Sequence, residues 1–581
     1  MTPLELLAPA RNAEIGIAAI DCGADAVYIA GPSFGARKDA GNPVESLSPL
    51  CEYAHKFGAR IFVTFNVAVS DSELPELHSQ MLQAQEAGAD AFIIRDPRTA
   101  LWDDIRIPLH ASTQCAIRTP EDAARMKANG CSRVILEREL SLAQIRRICS
   151  STDCEIECFV HGALCVCYSG QCRLSEYIDG RSADRGECIQ ACRSLYDLVD
   201  DRGDVLVRNK ALLSLKDYNL INRLEDLADA GVISFKIEGR LKNASYVRNI
   251  TRAYSEALDE LVRRHPERWC RASYGTVTAA FSPDPDKTFN RGYTELFIDG
   301  ERGRWASMDA PKSMGEPVGK VERTDVLPNG NMEIVLEASG KTRELRNGDG
   351  FAFITGNAIE GFRGDVCDGR KIICRKLSGI RKGTLLYRNL SSAFEKELDK
   401  GCRRELRLAL DVSIGNDLSI GVNAVCEDGR TVSRRFPSPG IEAGNRERAE
   451  AMIREGLSKR TDHFICNVGS FRSDGPLPFV SASFVNSLRR ELAGAVSSLP
   501  VPSRIPSGTR TVPDSITPEN KGRSGELMRS KYCIRYELGL CPSKQGASAT
   551  GNLFLTNNGR RFPLKFDCGN CEMAVLTPEQ K

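Results

Sequence analysis

One unit recurs through the first 250 residues: a short β-rich run, then a stretch patterned for a helix. The runs are LELLAP (4–9), AVYIAG (26–31), RIFVTFNV (60–67), AFIIRD (91–96), IPLHAS (107–112), RVILER (133–138), EIECFVHG (155–162) and VISFKIEG (232–239). Between them apolar residues return at three- and four-residue spacing, as in NAEIGIAAIDCG (12–23) and TPEDAARMKANG (119–130). The second of these opens on a Thr cap with Asp122 three residues on, and it stops at a glycine. Eight strands separated by helix-length sequence predict an α/β chain built on a (βα)8, TIM-like barrel.

In such a barrel the chemistry sits at the C-terminal ends of the strands. Those ends carry Asn66, Asp96, Ser112, Gln114, Arg138, His161 and Glu238. Residues 161–192, HGALCVCYSGQCRLSEYIDGRSADRGECIQAC, follow the seventh run directly and so hang over that mouth.

Beyond the barrel, assigned to residues 1–265 with the Cys-rich insertion at 161–193, the texture changes. EPVGKVERT, MEIVLEA, DGFAFITG and GTLLYRN, joined by tight turns, predict a small β-barrel over 270–400. A strand pair and amphipathic helices predict a mixed α/β module over 401–500, and the Pro-, Ser- and Gly-rich 501–525 reads as a linker. Residues 526–581 form a tail with four cysteines, expected to fold as a module of its own.

A net charge of +2 on 581 residues gives no global field for nucleic acid or membrane, so an RNA partner needs a local basic face. The N-terminus lacks a basic n-region, and no apolar run approaches a membrane span, so no membrane partner and a cytoplasmic location are expected. There, 22 cysteines point to metal or redox chemistry rather than disulfides. Cys22, Cys51, Cys131, Cys149, Cys270, Cys402 and Cys466 stand singly and read as small buried hydrophobes.

The inserted segment holds five cysteines within 32 residues, too many for so short a stretch to bury in a core of its own. Cys165, Cys172, Cys188 and Cys192 give C-x6-C-x15-C-x3-C. The first pair is too wide for a usual zinc knuckle. A cubane offers four separate corners to four thiolates, so its spacing is freer. Spacing alone admits an iron–sulfur cluster, zinc, or redox or structural thiols. Gly162, Gly170, Gly180 and Gly186 would let backbone amides approach a cluster's sulfides.

FVHGALCVCYSGQCRLSEYIDGRSADRGECIQACR (159–193), with LLAPARNAEIGIAAIDCGADAVYIAGPSFGAR (6–37) and LLSLKDYNLINRLEDLADAGVISFKIEGRLKNASYV (212–247), resembles the signature blocks of the peptidase U32 family. The β-module and tail resemble its long branch. Despite the family name, the resemblance implies an oxygen-independent RNA hydroxylase forming 5-hydroxycytidine in rRNA, with tRNA uridine hydroxylation as an alternative. It implies a [4Fe–4S] cluster on Cys165, Cys172, Cys188 and Cys192, with Cys167 a spare thiol. It also implies prephenate as hydroxyl donor and an electron donor of unknown identity. A dianionic donor needs cations at the mouth, for which Arg138, Lys236 and Arg240 are candidates, beside Asn66, Ser112 and Gln114 as substrate contacts.

A collagenase-like peptidase remains the competing reading. No H-E-x-x-H motif occurs, and His161 beside Cys165 offers only a weak Cys/His pair. His110 and His161 are candidate catalytic groups, as are Glu238 and Arg240, whose plain alternative is an ion pair closing the barrel. In the tail, Cys533, Cys541, Cys568 and Cys571 end in a C-x2-C pair that suggests a structural zinc. Basic residues there alternate with Tyr532, Tyr536 and Phe562, a composition suited to RNA or to a solvated face around a small core.

Overall fold

A computed structural model describes residues 1–37, 40–308, 313–338, 344–355, 358–505, 510–517, 525–547 and 551–578. Its centre is a closed barrel of eight parallel strands: Thr2–Pro9, Ala26–Ala30, Arg60–Phe65, Ala91–Ile94, Leu109–Ala111, Arg133–Ile135, Glu155–Gly162 and Ser234–Ile237. The eighth strand closes the ring by pairing with the seventh (Ser234 with Glu157) and the first (Ser234 with Glu5). All eight runs marked in the sequence are strands. The helix at Pro120–Ala128 starts as its sequence dictates, with the Asp122 amide donating to Thr119 Oγ1 at 3.2 Å. After the fourth strand only a 3-10 turn, Pro97–Leu101, stands where a helix would be.

Alternate residues along each strand face the barrel interior. The layer at the N-terminal ends is ionic rather than aliphatic. Arg133, fully buried, pairs with Glu5, with Glu155 at 2.6 Å and with Glu157 at 3.1 Å. Arg60 adds a second cation to Glu5, and Ser234 Oγ donates to Glu5 at 3.0 Å. Burial pushes the Glu5 carboxyl up, but Arg133 and Arg60 outweigh it and hold the group at about 2. This network plugs the floor.

The long helix Ala244–Arg264 covers the outside of the barrel, and the chain then returns to it. Trp269–Arg271 pairs with the first strand, Thr276–Ala279 with Cys402–Glu405, and Tyr293–Thr294 with Asp217–Tyr218. Residues from 270 to about 308 therefore join the barrel and, through Thr276–Ala279, the sheet of residues 402–473, not the small β-module. That module is a seven-stranded antiparallel sheet from Glu316 to Leu390 with its own core around Phe351, Phe353 and Ile372. Among the described residues its outer strands, Ala358–Arg363 and Val366–Asp368, are not paired with each other.

Residues 402–497 fold as a sheet with helices Arg446–Leu457 and Ala482–Ser497. Two thiols read as isolated meet here: Cys22 Sγ and Cys402 Sγ lie 2.9 Å apart across the seam between barrel and module. The described part of the Pro-rich stretch runs along the barrel. Arg510 donates to the carbonyls of Ala100 and Trp102, each at 2.6 Å, and the Thr517 amide to Asn129 at 2.9 Å.

The tail is not self-contained. Its strand Leu553–Asn557 pairs antiparallel with Tyr196–Asp200, so a six-stranded sheet joins Glu526–Leu576 to a hairpin that leaves the cysteine segment. Tyr532 and Phe562 lie in the core and cannot stack on RNA. Arg561 lies over Phe554 and donates to the Asp200 carbonyl.

Candidate active site at the barrel mouth

The inserted segment folds down over the C-terminal ends of the strands and walls a cavity with them. Two glycines permit the close approach. Gly170 and Gly186 have φ of 71° and 80°, where side chains are strained. A Cβ at Gly170 would fall 2.2 Å from the Gln114 carbonyl oxygen, and one at Gly186 2.6 Å from that of Gly35. Gly162 makes the same approach to Glu238, while Gly180 faces open space. Gly162, Gly170 and Gly186 thus let the segment and the barrel's loops approach closely.

Cys165, Cys167, Cys172, Cys188 and Cys192 all line this cavity. Arg193 ties the segment's two ends together, donating to the Leu164 carbonyl and to Ser214 Oγ, each at 2.7 Å. Arg95, at the end of the fourth strand, reaches the Gly170 carbonyl at 3.3 Å and the Asp184 carboxylate at 3.2 Å. Polar hydrogens point at the sulfurs. Cys188 Sγ accepts from the Gln190 amide at 3.3 Å and from the Ser175 hydroxyl at 3.7 Å. A hydrogen bond from the Cys167 thiol, aided by the amides of Leu174 and Ser175, pulls Cys172 towards thiolate against burial, and Cys167 is pushed well up. Burial lifts Cys192 to about 11.

Among the described residues no three His, Cys, Asp or Glu side chains gather round one point as a single ion requires. A cubane does not ask for that: it takes its thiolates at four separate corners. Several cysteines around one cavity, with amide donors to their sulfurs, fit a cluster better than a lone zinc. The tail cysteines Cys533, Cys541, Cys568 and Cys571 also line a common cavity, with Arg302 and Tyr536, but no three of them close round an ion. A tetrahedral zinc is not preformed there.

Of the strand-end residues expected at the site, Asn66, Ser112, Gln114, Arg138, Lys236, Glu238 and Arg240 line the cavity. Asn66 donates to Ser112 Oγ at 3.2 Å and accepts the Ala36 amide at 2.9 Å. Arg240, buried, donates to Thr64 Oγ1 at 2.8 Å and makes no ion pair among the described residues. Glu238 faces Arg138 instead. Burial pushes the Glu238 carboxyl up, yet Arg37, Arg138, Arg240 and Lys236 together hold it below the usual range. Lys236 is spoken for: it pairs with Glu157 at 2.8 Å, and burial lowers its pKa.

Three expected residues are elsewhere. Asp96 caps the following turn and pairs with Arg98 at 2.6 Å. His110 shares its inward face with Ser112 but lies one layer deeper, edge-on to Phe62 with ring centroids 4.9 Å apart. Burial, with Arg133, Arg60 and Lys236 nearby, keeps it neutral. His161 is displaced by an irregularity in the pairing of the seventh and eighth strands, between Lys236 and Ile237. It packs outward against Tyr246, Tyr254 and Tyr293, its Nδ1 3.3 Å from Tyr254 Oη, and burial lowers it to about 3. Neither histidine lines the cavity, so the Cys165–His161 pair of the peptidase reading is not formed.

The sequence reading missed Arg37, Tyr28, Thr64, Phe159 and Met528, all cavity residues. Tyr28, inside the second run, and Arg37, in the loop that follows it, could have been found from that strand's place in the barrel. Met528 could not.

The model of peptidase family U32 matches residues 11–307. The chain is 36% identical to the 23S rRNA 5-hydroxycytidine synthase of Escherichia coli, across 99% of this chain and 94% of that protein. It is 33% identical to tRNA hydroxylation protein P1 of Bacillus subtilis, over 52% of this chain and 72% of that one. A collagenase of Porphyromonas gingivalis is also 33% identical, over 52% of this chain and 75% of its own length.

Proposed function

Because the chain belongs to peptidase family U32, with a relative matched along nearly its whole length, we propose that it is an oxygen-independent RNA nucleobase hydroxylase. Its substrate on this reading is a cytidine of rRNA, and it works in the cytoplasm; no described helix is long and apolar enough to cross a membrane. The observation that carries the reading is a cavity lined by five cysteines and four cationic side chains and by no histidine among the described residues.

Cys165, Cys172, Cys188 and Cys192 would hold a [4Fe–4S] cluster, which when bound supplies single-electron transfer. Arg37, Arg138 and Arg240 would bind and orient a small dianionic hydroxyl donor such as prephenate. Asn66, Ser112 and Gln114 offer amide and hydroxyl groups to the edge of an extruded base. The segment and Met528 cover the mouth and limit water. In the tail, the meeting of two sequence-distant cysteine pairs in one cavity supports a structural metal, zinc by preference for thiolates.

Nucleoside mass spectrometry of rRNA and tRNA from a deletion strain tests the function. The expected result is loss of one hydroxylated cytidine from rRNA, restored by the wild type and not by Cys172→Ser. Loss of a hydroxylated uridine from tRNA would move the substrate to tRNA. An unchanged profile, with peptide cleavage by the pure protein, would overturn the hydroxylase reading.

A further inference from the structure

We propose that Glu572 is a positioning residue for the cysteine segment, which makes the C-terminal tail a built part of the active centre; the proposal rests on the cluster reading of the cavity. The link is Tyr168, which lies between Cys167 and Cys172 and is buried at the cavity wall. Three parts of the chain grip it. Its amide donates to the Arg529 carbonyl at 2.9 Å, and its hydroxyl to Glu572 Oε1 at 2.8 Å, 404 residues away. Arg118 stacks on its ring at 4.1 Å and pairs with Glu137 at 2.7 Å, while Glu137 accepts the Ser169 amide at 2.9 Å.

The tail side of this contact is itself fixed. Glu572 Oε2 accepts from Arg529 Nη1 at 2.9 Å, so one carboxylate holds both the tyrosine and the strand that carries its backbone acceptor. The Arg173 amide donates to the Leu527 carbonyl at 2.8 Å, so residues 168–173 lie along Glu526–Ser530 as along a sheet edge. Met528, between the two accepting carbonyls, enters the cavity wall.

The peptide from Cys167 to Cys172 sets where Cys172 stands. It includes Ser169 and the left-handed Gly170, residues with little side chain to pack. Without Glu572 the Tyr168 hydroxyl is left buried with no acceptor, and Arg529 loses one of its two carboxylates. The segment should loosen where the sulfurs need it fixed, while the barrel beneath is untouched.

The test uses the full chain purified without oxygen, as wild type, Glu572→Ala, Glu572→Gln and Tyr168→Phe. Hydrogen exchange is followed in peptides covering 166–173 and, for reference, barrel strand 60–65. Iron loss on exposure to air is measured in the same preparations. Glu572→Ala and Tyr168→Phe are expected to exchange faster at 166–173 alone and to lose iron several-fold faster. Glu572→Gln keeps one acceptor oxygen for the Tyr168 hydroxyl but turns its NH2 towards Arg529, so it should fall between the wild type and Glu572→Ala. Wild-type exchange at 166–173 in Glu572→Ala, or loosening spread equally to 60–65, would overturn the proposal. If the wild type carries no iron the cluster reading fails, and the exchange measurement still decides the contact.

Discussion

Arg138 and Glu238 meet across the barrel mouth, Nη2 3.5 Å from Oε2, one from the end of the sixth strand and one from the end of the eighth. Arg138 also lies over the Phe159 ring, its guanidinium carbon 3.9 Å from the centre, so the guanidinium is held in place before any ligand arrives. Arg138→Ala should remove one charged hydrogen bond to an anionic donor, about 1.5–3 kcal/mol, which is about 10- to 100-fold in affinity. Glu238→Gln should do the reverse, because the carboxylate competes with the anion for the same cations. Steady-state KM for the donor at fixed RNA separates the two outcomes. Glu238 is ionised throughout the neutral range, so it should give the KM no pH dependence there.

The cysteines of the segment should not be equivalent. Cys188→Ser is expected to abolish the brown absorbance and the iron, about four per chain for a cubane, while Cys167→Ser keeps both. Metal analysis of the same samples reads the tail: one zinc per chain, lost in Cys568→Ser/Cys571→Ser. Colourless protein after anaerobic purification would remove the cluster, and zinc-free wild type the tail metal.

Stability should fall on mild acidification through His161. The unfolded chain binds a proton at this histidine below about 6.5, whereas the folded chain, with its His161 at about 3, does not. Protons therefore favour the unfolded state as pH falls between these values, by about 1.4 kcal/mol per pH unit for this residue. Above the unfolded value the penalty is absent. Denaturant unfolding at several pH values from neutral to mildly acid should show a shallower loss in His161→Gln.

Arg133 balances two buried carboxylates at once, those of Glu5 and Glu157. Arg133→Met should cost about 3–5 kcal/mol, because it strands charge in the barrel interior. Pairing it with Glu157→Gln should recover part of the loss. Equal denaturation midpoints for the single and double variants would show that the network is not coupled.

The sequence alone determined the barrel and the place of the cysteine segment above it. Both follow from local signals: apolar runs of strand length, helix caps such as Thr119 with Asp122, and strand ends that carry arginine, asparagine and glutamate. Tertiary structure decided the rest. His110 and His161 sit next to residues at the mouth, yet a layer of depth takes one away and a pairing irregularity takes the other. Periodicity gives the side of a strand a residue faces; depth and register depend on the neighbouring strand. Still less could a string show that Glu572 holds Tyr168, that strand 553–557 joins 196–200, or that Cys22 meets Cys402. Such contacts depend on which sheet edges and surfaces remain uncovered once the barrel has closed. Backbone groups at those edges will hydrogen-bond to any suitable strand, so folding of the whole chain chooses the partner.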